Sequence, residues 1–176
     1  MDNGQIENLL LQMADGSTTA FEELYKTTKA QVYAFSLSYL KNGYDAEDVV
    51  QDTYISIYNS VGNYKPKGKP MAWIFTIAKN LCLMKFREQS KAPKINIDDF
   101  AETIAAPAEY EEDKELIVEI MKILKEDDLK IVMMHAVGDL KFREIAEILD
   151  LALPTVLSKY NRSIKKLRTK LEMEEI

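Results

Sequence analysis

Cations recur at helical spacing near the end of this chain, where they could bind a polyanion. Between positions 159 and 168 they are Lys159, Arg162, Lys165, Lys166 and Arg168. Positions three and four apart lie on one side of an α-helix, so these side chains would form a continuous basic surface. Such a helix fits the DNA major groove, with its cations on phosphates. The spacing predicts a DNA-binding helix, although solvated lysines on an ordinary αα-hairpin would give the same pattern.

The residues before this helix predict the elements that would position it. Apolar side chains recur at helical spacing from Ile145 to Leu149. Asp150 stands where the chain must reverse, in a left-handed conformation that Gly, Asn and Asp adopt most easily. Pro154 suits the first turn of the helix that follows. Residues 141–168 are therefore predicted to form a helix-turn-helix.

A second group of cations surrounds a turn-rich loop in the middle of the chain. Residues 63–94 hold 8 Lys and Arg against 1 Asp or Glu, although the whole chain has a formal net charge of −6. Residues 129–171 form another basic block, with 9 against 4. Affinity for phosphate depends on local cation density, because bound cations displace counterions from the nucleic-acid backbone. The acidic balance of the whole chain therefore does not exclude nucleic-acid binding.

An acidic stretch precedes the central basic block and begins a predicted helix. Asp45, Glu47 and Asp48 fall in its first turn, where the helix dipole favours anions. Asp48, Gln51 and Asp52 share one face of the same helix. This face could dock on a basic helical partner, or the acids could simply stabilise the start of their own helix.

Helical periodicity over most of the chain predicts an all-α protein of two small domains. The patterns run to about residue 88 and resume at residue 111, and no strand pattern of useful length occurs. Residues 91–110 contain prolines, acids and small residues without periodicity, which predicts an irregular acidic linker. We therefore expect domains at residues 1–90 and 111–176, the second of them a helix-turn-helix domain.

Few residues in this sequence could hold a metal or a covalent intermediate. The single His135 and the single Cys82 both lie in apolar stretches, which predicts packing roles. The sequence contains no phosphate-binding glycine loop and no nucleophile elbow. We expect no enzyme activity, no metal, no cofactor and no small-molecule substrate. Without a bilayer-length apolar run or a secretory signal, a cytoplasmic protein with no membrane insertion is predicted.

Two motifs together resemble one known family. Residues 45–54 (DAEDVVQDTY) resemble region 2 of the sigma-seventy family of bacterial RNA polymerase sigma factors, and residues 73–80 (WIFTIAKN), with Arg87 beyond, resemble its continuation. The helix-turn-helix resembles region 4. The size and order are similar to the compact extracytoplasmic-function group, which keeps only these two helical domains and a linker. The resemblance implies an alternative sigma factor that binds core polymerase and directs it to particular promoters.

The resemblance also implies a partner for each charged surface. The acidic helix would dock on the clamp helices of the polymerase beta-prime subunit through Asp45, Glu47, Asp48, Gln51 and Asp52. The central basic block would open the promoter minus-ten element, with cations on the backbone and an aromatic ring for an unstacked base. Its expected residues are Tyr64, Lys65, Lys67, Lys69, Lys79, Asn80, Lys85 and Arg87.

The remaining implied partners concern the second domain and regulation. The second domain would read the minus-thirty-five element as duplex DNA through Pro154, Thr155, Ser158, Lys159, Arg162, Lys165 and Lys166. The beta flap of the polymerase and an anti-sigma factor are further expected partners.

The chain departs from the family pattern within the second helix of the helix-turn-helix, which we call the recognition helix. Leu157 and Lys159 stand where many members have Lys and Arg, and lysine cannot form the planar fork of arginine. The sequence leaves two other functions open. One is a helix-turn-helix regulator whose first domain senses a ligand, and the other is a sigma-like protein that occupies polymerase without initiating. A sensor domain should show a pocket and little basic surface, whereas this first half carries an acidic helix and a basic block.

Overall fold

The computed structural model describes residues 2–89 and 111–174, with side chains over 2–88 and 117–170. Within these ranges the chain forms eight α-helices and no strand. They are α1 (Asn3–Ala14), α2 (Thr18–Leu40), α3 (Gly43–Ser60), α4 (Pro70–Gln89), α5 (Glu111–Ile123), α6 (Glu126–Val132), α7 (Phe142–Leu149) and α8 (Leu153–Glu174). A 3₁₀ turn follows α3 at Val61–Asn63, and a π-helical turn continues α6 at Met133–Val137. The all-α fold is confirmed, while the predicted linker at 91–110 lies outside the described residues.

Side chains next to the first three helices explain where those helices begin. Asp2 accepts a hydrogen bond from the N–H of Gln5 at 2.8 Å, and the Gln5 side chain accepts one from the N–H of Asp2 at 2.9 Å. Ser17 caps α2 and Asn42 caps α3, each through a side-chain oxygen that accepts from first-turn N–H groups. These caps satisfy donors that have no partner within the helix.

Helices α1 to α4 form the first unit, with α2 at its centre. Helices α1, α3 and α4 all pack against α2, and every residue from 32 to 40 of α2 is buried. Val49, Val50 and Ile57 of α3 lie in the core, as their spacing predicts. The buried hydroxyl groups of Thr28 and Tyr54 are hydrogen-bonded to each other at 2.6 Å. The core of this unit therefore includes polar groups that are satisfied internally.

The buried face of α4 differs from the predicted one. The apolar pattern predicts Met84 at the end of the buried stripe, but this side chain is 56% exposed. Phe75, which lies outside the predicted stripe, is completely buried. The ring of Phe75 lies 4.8 Å from that of Phe35 in α2, and it also approaches Gly138 beyond the π-helical turn. A pattern taken from α4 alone could not locate these neighbours.

Helices α5 to α8 form the second unit, which contains the predicted helix-turn-helix. Helix α7 ends at Leu149 and is capped by Asp150, whose φ of 53° is in the left-handed region, as predicted. Pro154 lies in the first turn of α8. The imidazole of His135 stacks on Phe142 at 4.2 Å between ring centres and meets Tyr160 edge-on at 4.8 Å. This aromatic cluster holds the π-helical turn against α7 and α8.

The two units pack against each other and share one hydrophobic core. Helix α2 contacts α5, α6 and the π-helical turn, and α4 contacts α7. The Lys130 ammonium lies 4.3 Å from the ring centre of Tyr39, and Lys41 lies 3.9 Å from Glu126. The sequence predicts two separate units and does not indicate this packing. The domain boundaries at residues 90 and 111 stay predictions.

Gly138→Ala is expected to lower the free energy of unfolding by about 1–3 kcal/mol, because a methyl group here overpacks a filled core. Its Cβ would lie 2.7 Å from both the carbonyl oxygen of Met134 and Cζ of Phe75. Denaturant unfolding followed by circular dichroism measures the change. Gly62→Ala is the matched control, since no heavy atom lies within 4 Å of its Cβ position. Equal unfolding free energies for the two variants would contradict the close approach.

Candidate nucleic-acid and protein-docking surfaces

The outer side of α3 carries three exposed polar residues, Asp48, Gln51 and Asp52, which we call the acidic face. Ile55 and Tyr58 continue this side of the helix and are 58% and 60% exposed. Their spacing of three and four residues places them next to the acidic face. Helix α3 therefore presents a surface with one charged end and one apolar end. Sequence analysis missed Ile55, although its position outside the buried stripe of α3 was a usable signal.

Two of the predicted docking residues, Asp45 and Glu47, are half-buried, unlike the exposed residues of the acidic face. Lys85 of α4 pairs with Asp45 at 3.3 Å and also with Asp48. Burial alone would lower the pKa of Lys85, but its hydrogen bonds to Asp48 and Asp45 raise it above the ordinary value. Lys85, predicted to contact the minus-ten element, thus binds the start of the acidic helix in this structure.

The loop between α3 and α4 exposes Lys65, Lys67 and Lys69 to solvent. The Tyr64 hydroxyl donates a hydrogen bond to Oε1 of Glu7 in α1 at 2.9 Å. Burial, followed by this hydrogen bond to Glu7, raises the pKa of Tyr64. The predicted base-stacking ring is therefore held at its hydroxyl end.

A cavity of about 570 Å³, which we call the basic groove, lies between this loop, α4 and α7. The ring of Tyr64 lies 4.9 Å from that of Trp73, and both line the groove. Five of the predicted minus-ten residues line this groove, namely Tyr64, Lys65, Lys67, Lys69 and Lys79. Asn80, Lys85 and Arg87 are not among its lining residues. The structure thus brings five of the eight predicted residues to one site.

The second unit supplies the opposite wall of the basic groove. Glu144, Glu147 and Ile148 of α7 line it. Glu147 lies 3.6 Å from the ammonium of Lys69, and Lys79 donates a hydrogen bond to the carbonyl oxygen of Ile148. A cation at this end of α7 also interacts favourably with the helix dipole. The sequence gives no signal for these contacts, because they join positions about seventy residues apart.

The recognition helix α8 has an exposed N-terminal end. Pro154, Thr155 and Ser158 are exposed there, and Leu157 is 36% exposed. Arg162, Lys165 and Lys166 are exposed farther along the helix. Six of the seven predicted minus-thirty-five residues are thus exposed in this structure, and one of them, Lys166, donates a hydrogen bond to the carbonyl oxygen of Ile123.

Lys159 is the exception among these predicted residues. It is half-buried, and its ammonium lies 3.2 Å from Asp128 and 3.7 Å from Asp127, both in the first turn of α6. Arg162 lies 3.7 Å from the same oxygen of Asp128. Sequence analysis missed the two aspartates as partners of the recognition helix. Lys159 therefore stabilises the second unit internally.

The described residues show no group of three or more His, Cys, Asp and Glu side chains that could hold a metal ion. Nδ1 of His135 is hydrogen-bonded to the carbonyl oxygen of Leu140 at 2.8 Å. Cys82 is buried, and this burial raises the pKa of its thiol to about 12. Both residues have the packing roles that the sequence predicts. No helix in the described part of the chain is long and apolar enough to span a membrane.

Comparison with known proteins matches both units to families. Residues 24–92 match the family described as Sigma-70 region 2, and residues 114–167 match Sigma-70, region 4. The chain is 26% identical to the ECF RNA polymerase sigma factor SigK of Mycobacterium sp. (strain KMS), over 96% of this chain and 91% of that protein. It is 28% identical to the RNA polymerase sigma factor CarQ of Myxococcus xanthus, over 91% and 95%.

Two solved structures share the fold. One is CnrH in complex with the cytosolic domain of CnrY, with a TM-score of 0.67, 20% identity and coverage of 96% of this chain and 98% of that chain. The other is the sigma factor RpoE in complex with the anti-sigma factor NepR from Bartonella quintana, with a TM-score of 0.62, 18% identity and coverage of 86% and 96%. The two family matches and the relatives show that the chain belongs to the extracytoplasmic-function (ECF) group of the sigma-70 family of RNA polymerase sigma factors.

Proposed function

We propose that this alternative sigma factor docks on core RNA polymerase through the acidic face and grips promoter DNA through the basic groove and the recognition helix. The observation that carries the proposal is that the first unit bears both an exposed acidic face on α3 and, beginning at the loop that follows α3, the lysines of the basic groove. Surfaces of opposite charge on one small unit suit two different partners, a basic protein and a nucleic acid.

The acidic face would meet the clamp helices of the beta-prime subunit. Asp48 and Asp52 would steer the encounter with a basic surface, and Gln51 would supply hydrogen bonds. Ile55 would add apolar contact, as the desolvated centre of a protein interface requires. Asp45 and Glu47, being half-buried, would support the helix start. The second unit would contact the beta flap.

The basic groove would bind the minus-ten element after its strands separate. Lys65, Lys67 and Lys69 would neutralise phosphates of a single strand, and the paired rings of Tyr64 and Trp73 would offer an edge or face to an unstacked base. Asn80 and Arg87, outside the groove lining, would extend the contact along α4. Lys85 would reach DNA only after releasing Asp45 and Asp48.

The recognition helix would bind the minus-thirty-five element as duplex. Pro154, Thr155 and Ser158 would lie at the base edges, while Arg162, Lys165 and Lys166 would bind the backbone. Lys159 would contribute mainly through its ion pairs with α6. Leu157 offers methyl groups, which pack well against the methyl group of thymine.

The proposed activity needs no catalysis by this chain, because the polymerase carries out RNA synthesis. It also implies a cytoplasmic location, where the polymerase and the chromosome are. An anti-sigma factor is a further proposed partner, supported by the likeness of this fold to RpoE in its complex with NepR.

Asp52→Lys is expected to weaken the affinity for core polymerase by roughly ten- to a hundredfold, because it places like charges opposite each other in the interface. Asp52 is exposed and has none of the ion pairs that engage Asp48, so this change leaves Lys85 in place. Competition binding with fluorescently labelled protein measures the affinity. Glu22→Lys, an equal charge change at an exposed position of α2, should stay within about twofold of the unmodified chain. Equal affinities for both variants would exclude the acidic face as the docking surface.

Specific initiation tests the function as a whole. The full chain, combined with core polymerase and promoter fragments from its own genome, is expected to start transcription at a small set of sites, which transcript sequencing identifies. Tight core binding without initiation would instead support the sigma-like occupant of polymerase. Absence of core binding, with sequence-specific binding of duplex DNA by the chain alone, would support a conventional regulator.

A further inference from the structure

Helix α1 lies before residue 24, where the match to Sigma-70 region 2 begins, yet it contacts the loop that carries the groove lysines. Oε1 of Glu7 accepts two hydrogen bonds, from the Tyr64 hydroxyl and from the N–H of Gly68, both at 2.9 Å. One carboxylate oxygen therefore joins two points of the loop that are four residues apart.

This contact determines the shape of the loop. Lys65 and Lys67 lie between the two anchored residues, and Lys69 follows directly. Gly68 has a φ of 65°, which lies in the left-handed region. Apart from Asn and Asp, residues with a side chain rarely adopt this backbone conformation. The neighbouring cations repel one another, so an anion at the base of the loop also offsets their charge.

Glu7 itself is firmly positioned. The hydrogen bonds between Asp2 and Gln5 fix the start of α1, and Ile6 and Leu10 on either side of Glu7 are buried. The carboxylate thus extends from a packed helix to a loop that has no regular structure of its own.

We propose that Glu7 is a positioning residue for the basic groove, which holds Tyr64 and the loop lysines ready for a melted promoter strand. This role rests on the proposed function of the groove. An ordered loop loses less conformational freedom when it binds, so the hydrogen bonds of Glu7 favour capture of the opened strand. Glu7 touches neither polymerase nor DNA in this role.

The test compares holoenzymes that carry Glu7→Ala, Glu7→Gln or the unmodified chain on two templates. Glu7→Ala is expected to slow open-complex formation on duplex promoter DNA by about five- to twentyfold. On a template already unpaired at the minus-ten element, the affinity for the unpaired strand should fall by a similar factor, because the loop must still become ordered, and core affinity should be unchanged. Glu7→Gln keeps an acceptor oxygen in place and should restore most of the rate. Gln12→Ala, at an exposed position of the same helix, is the matched control.

Three results would overturn this role, and a fourth would concern the proposed function instead. Unchanged opening in Glu7→Ala would show that the anchor is dispensable, and a loss accompanied by weaker core binding would indicate general destabilisation. Failure of Glu7→Gln to restore opening would exclude the hydrogen bonds as the cause. If the unmodified holoenzyme opens no promoter, the proposed function fails, whatever the variants do.

Helix α7 of the same chain forms one wall of the basic groove and contacts two of its lysines. Lys69 pairs with Glu147, and Lys79 donates to the carbonyl oxygen of Ile148. Behind these contacts Phe75 meets Gly138, and Tyr39 meets Lys130. The wall formed by α7 is thus continuous with the packing of the two units.

The carboxylates of α7 would repel the phosphates of a nucleic acid in the basic groove. Glu144 and Glu147 line the same groove whose lysines would bind phosphate. A phosphodiester strand entering it would have to displace Glu147 from Lys69 and would lie close to both carboxylates. We infer that α7 and a melted promoter strand compete for Lys69 and Lys79, so that the chain in this structure is closed and must separate its two units before the groove accepts DNA. This inference rests on the proposed function of the groove.

Binding of a single-stranded minus-ten oligonucleotide to the full chain tests the competition. Glu147→Gln is expected to raise the affinity about two- to fivefold, whereas Glu119→Gln, an equal charge change on α5 outside the groove, should leave it nearly unchanged. Nitroxide labels on cysteines introduced at the exposed positions Asn59 and Arg168 report the separation of the units, and buried Cys82 stays unlabelled. The oligonucleotide should shift the distance distribution to longer values.

Two outcomes decide against the competition. A bound oligonucleotide with an unchanged distance distribution would overturn it, as would equal affinities of Glu147→Gln and Glu119→Gln. If neither the free chain nor its holoenzyme binds the oligonucleotide in any variant, the promoter-binding function of the groove fails instead.

Discussion

The C-terminal half of α2 is the constraint on which the rest of the structure depends. Residues 32–40 are buried without interruption, so this helix must be covered on every side. Helices α1, α3 and α4 cover part of it, and α5, α6 and the π-helical turn cover the remainder. Within this stretch, the buried hydroxyl group of Ser38 donates a hydrogen bond to the carbonyl oxygen of Phe35 in the same helix. One apolar helix thereby determines where the second unit lies relative to the first.

This placement has a consequence for the groove. Because α2 holds α6 and the π-helical turn, α7 comes to lie beside the lysine loop and α4. Separating the units would expose apolar residues such as Phe75 and Tyr39 to water, a cost roughly proportional to the apolar area uncovered. A partner that holds the open form must therefore supply comparable contacts of its own. Core polymerase, which would bind α3 and the second unit at the same time, is suited to do so.

Ion pairs also join residues that are far apart in the sequence. The chain alternates acidic and basic blocks, and the fold pairs residues between them: Lys85 with Asp45 and Asp48, Lys159 with Asp127 and Asp128, and Lys69 with Glu147. The half-buried Lys159 is a structural cation, while the exposed Lys65 and Lys67 of the loop keep their charge accessible to a ligand. The match of residues 24–92 to Sigma-70 region 2 replaces the hypothesis of a ligand-sensing first domain.

The sequence by itself determined the helices, the helix-turn-helix and the family, because capping residues, apolar periodicity and short motifs act over a few positions. Asp150 and the apolar spacing of Val49, Val50 and Ile57 in α3 were predictable in this way. Tertiary structure alone decided which charges remain accessible, which face of α4 is buried and what anchors the basic loop. Glu7 and Tyr64 are 57 positions apart, and Lys79 and Ile148 are 69 apart. Such pairs arise only when packing around α2 brings distant helices together, and no local pattern encodes that packing.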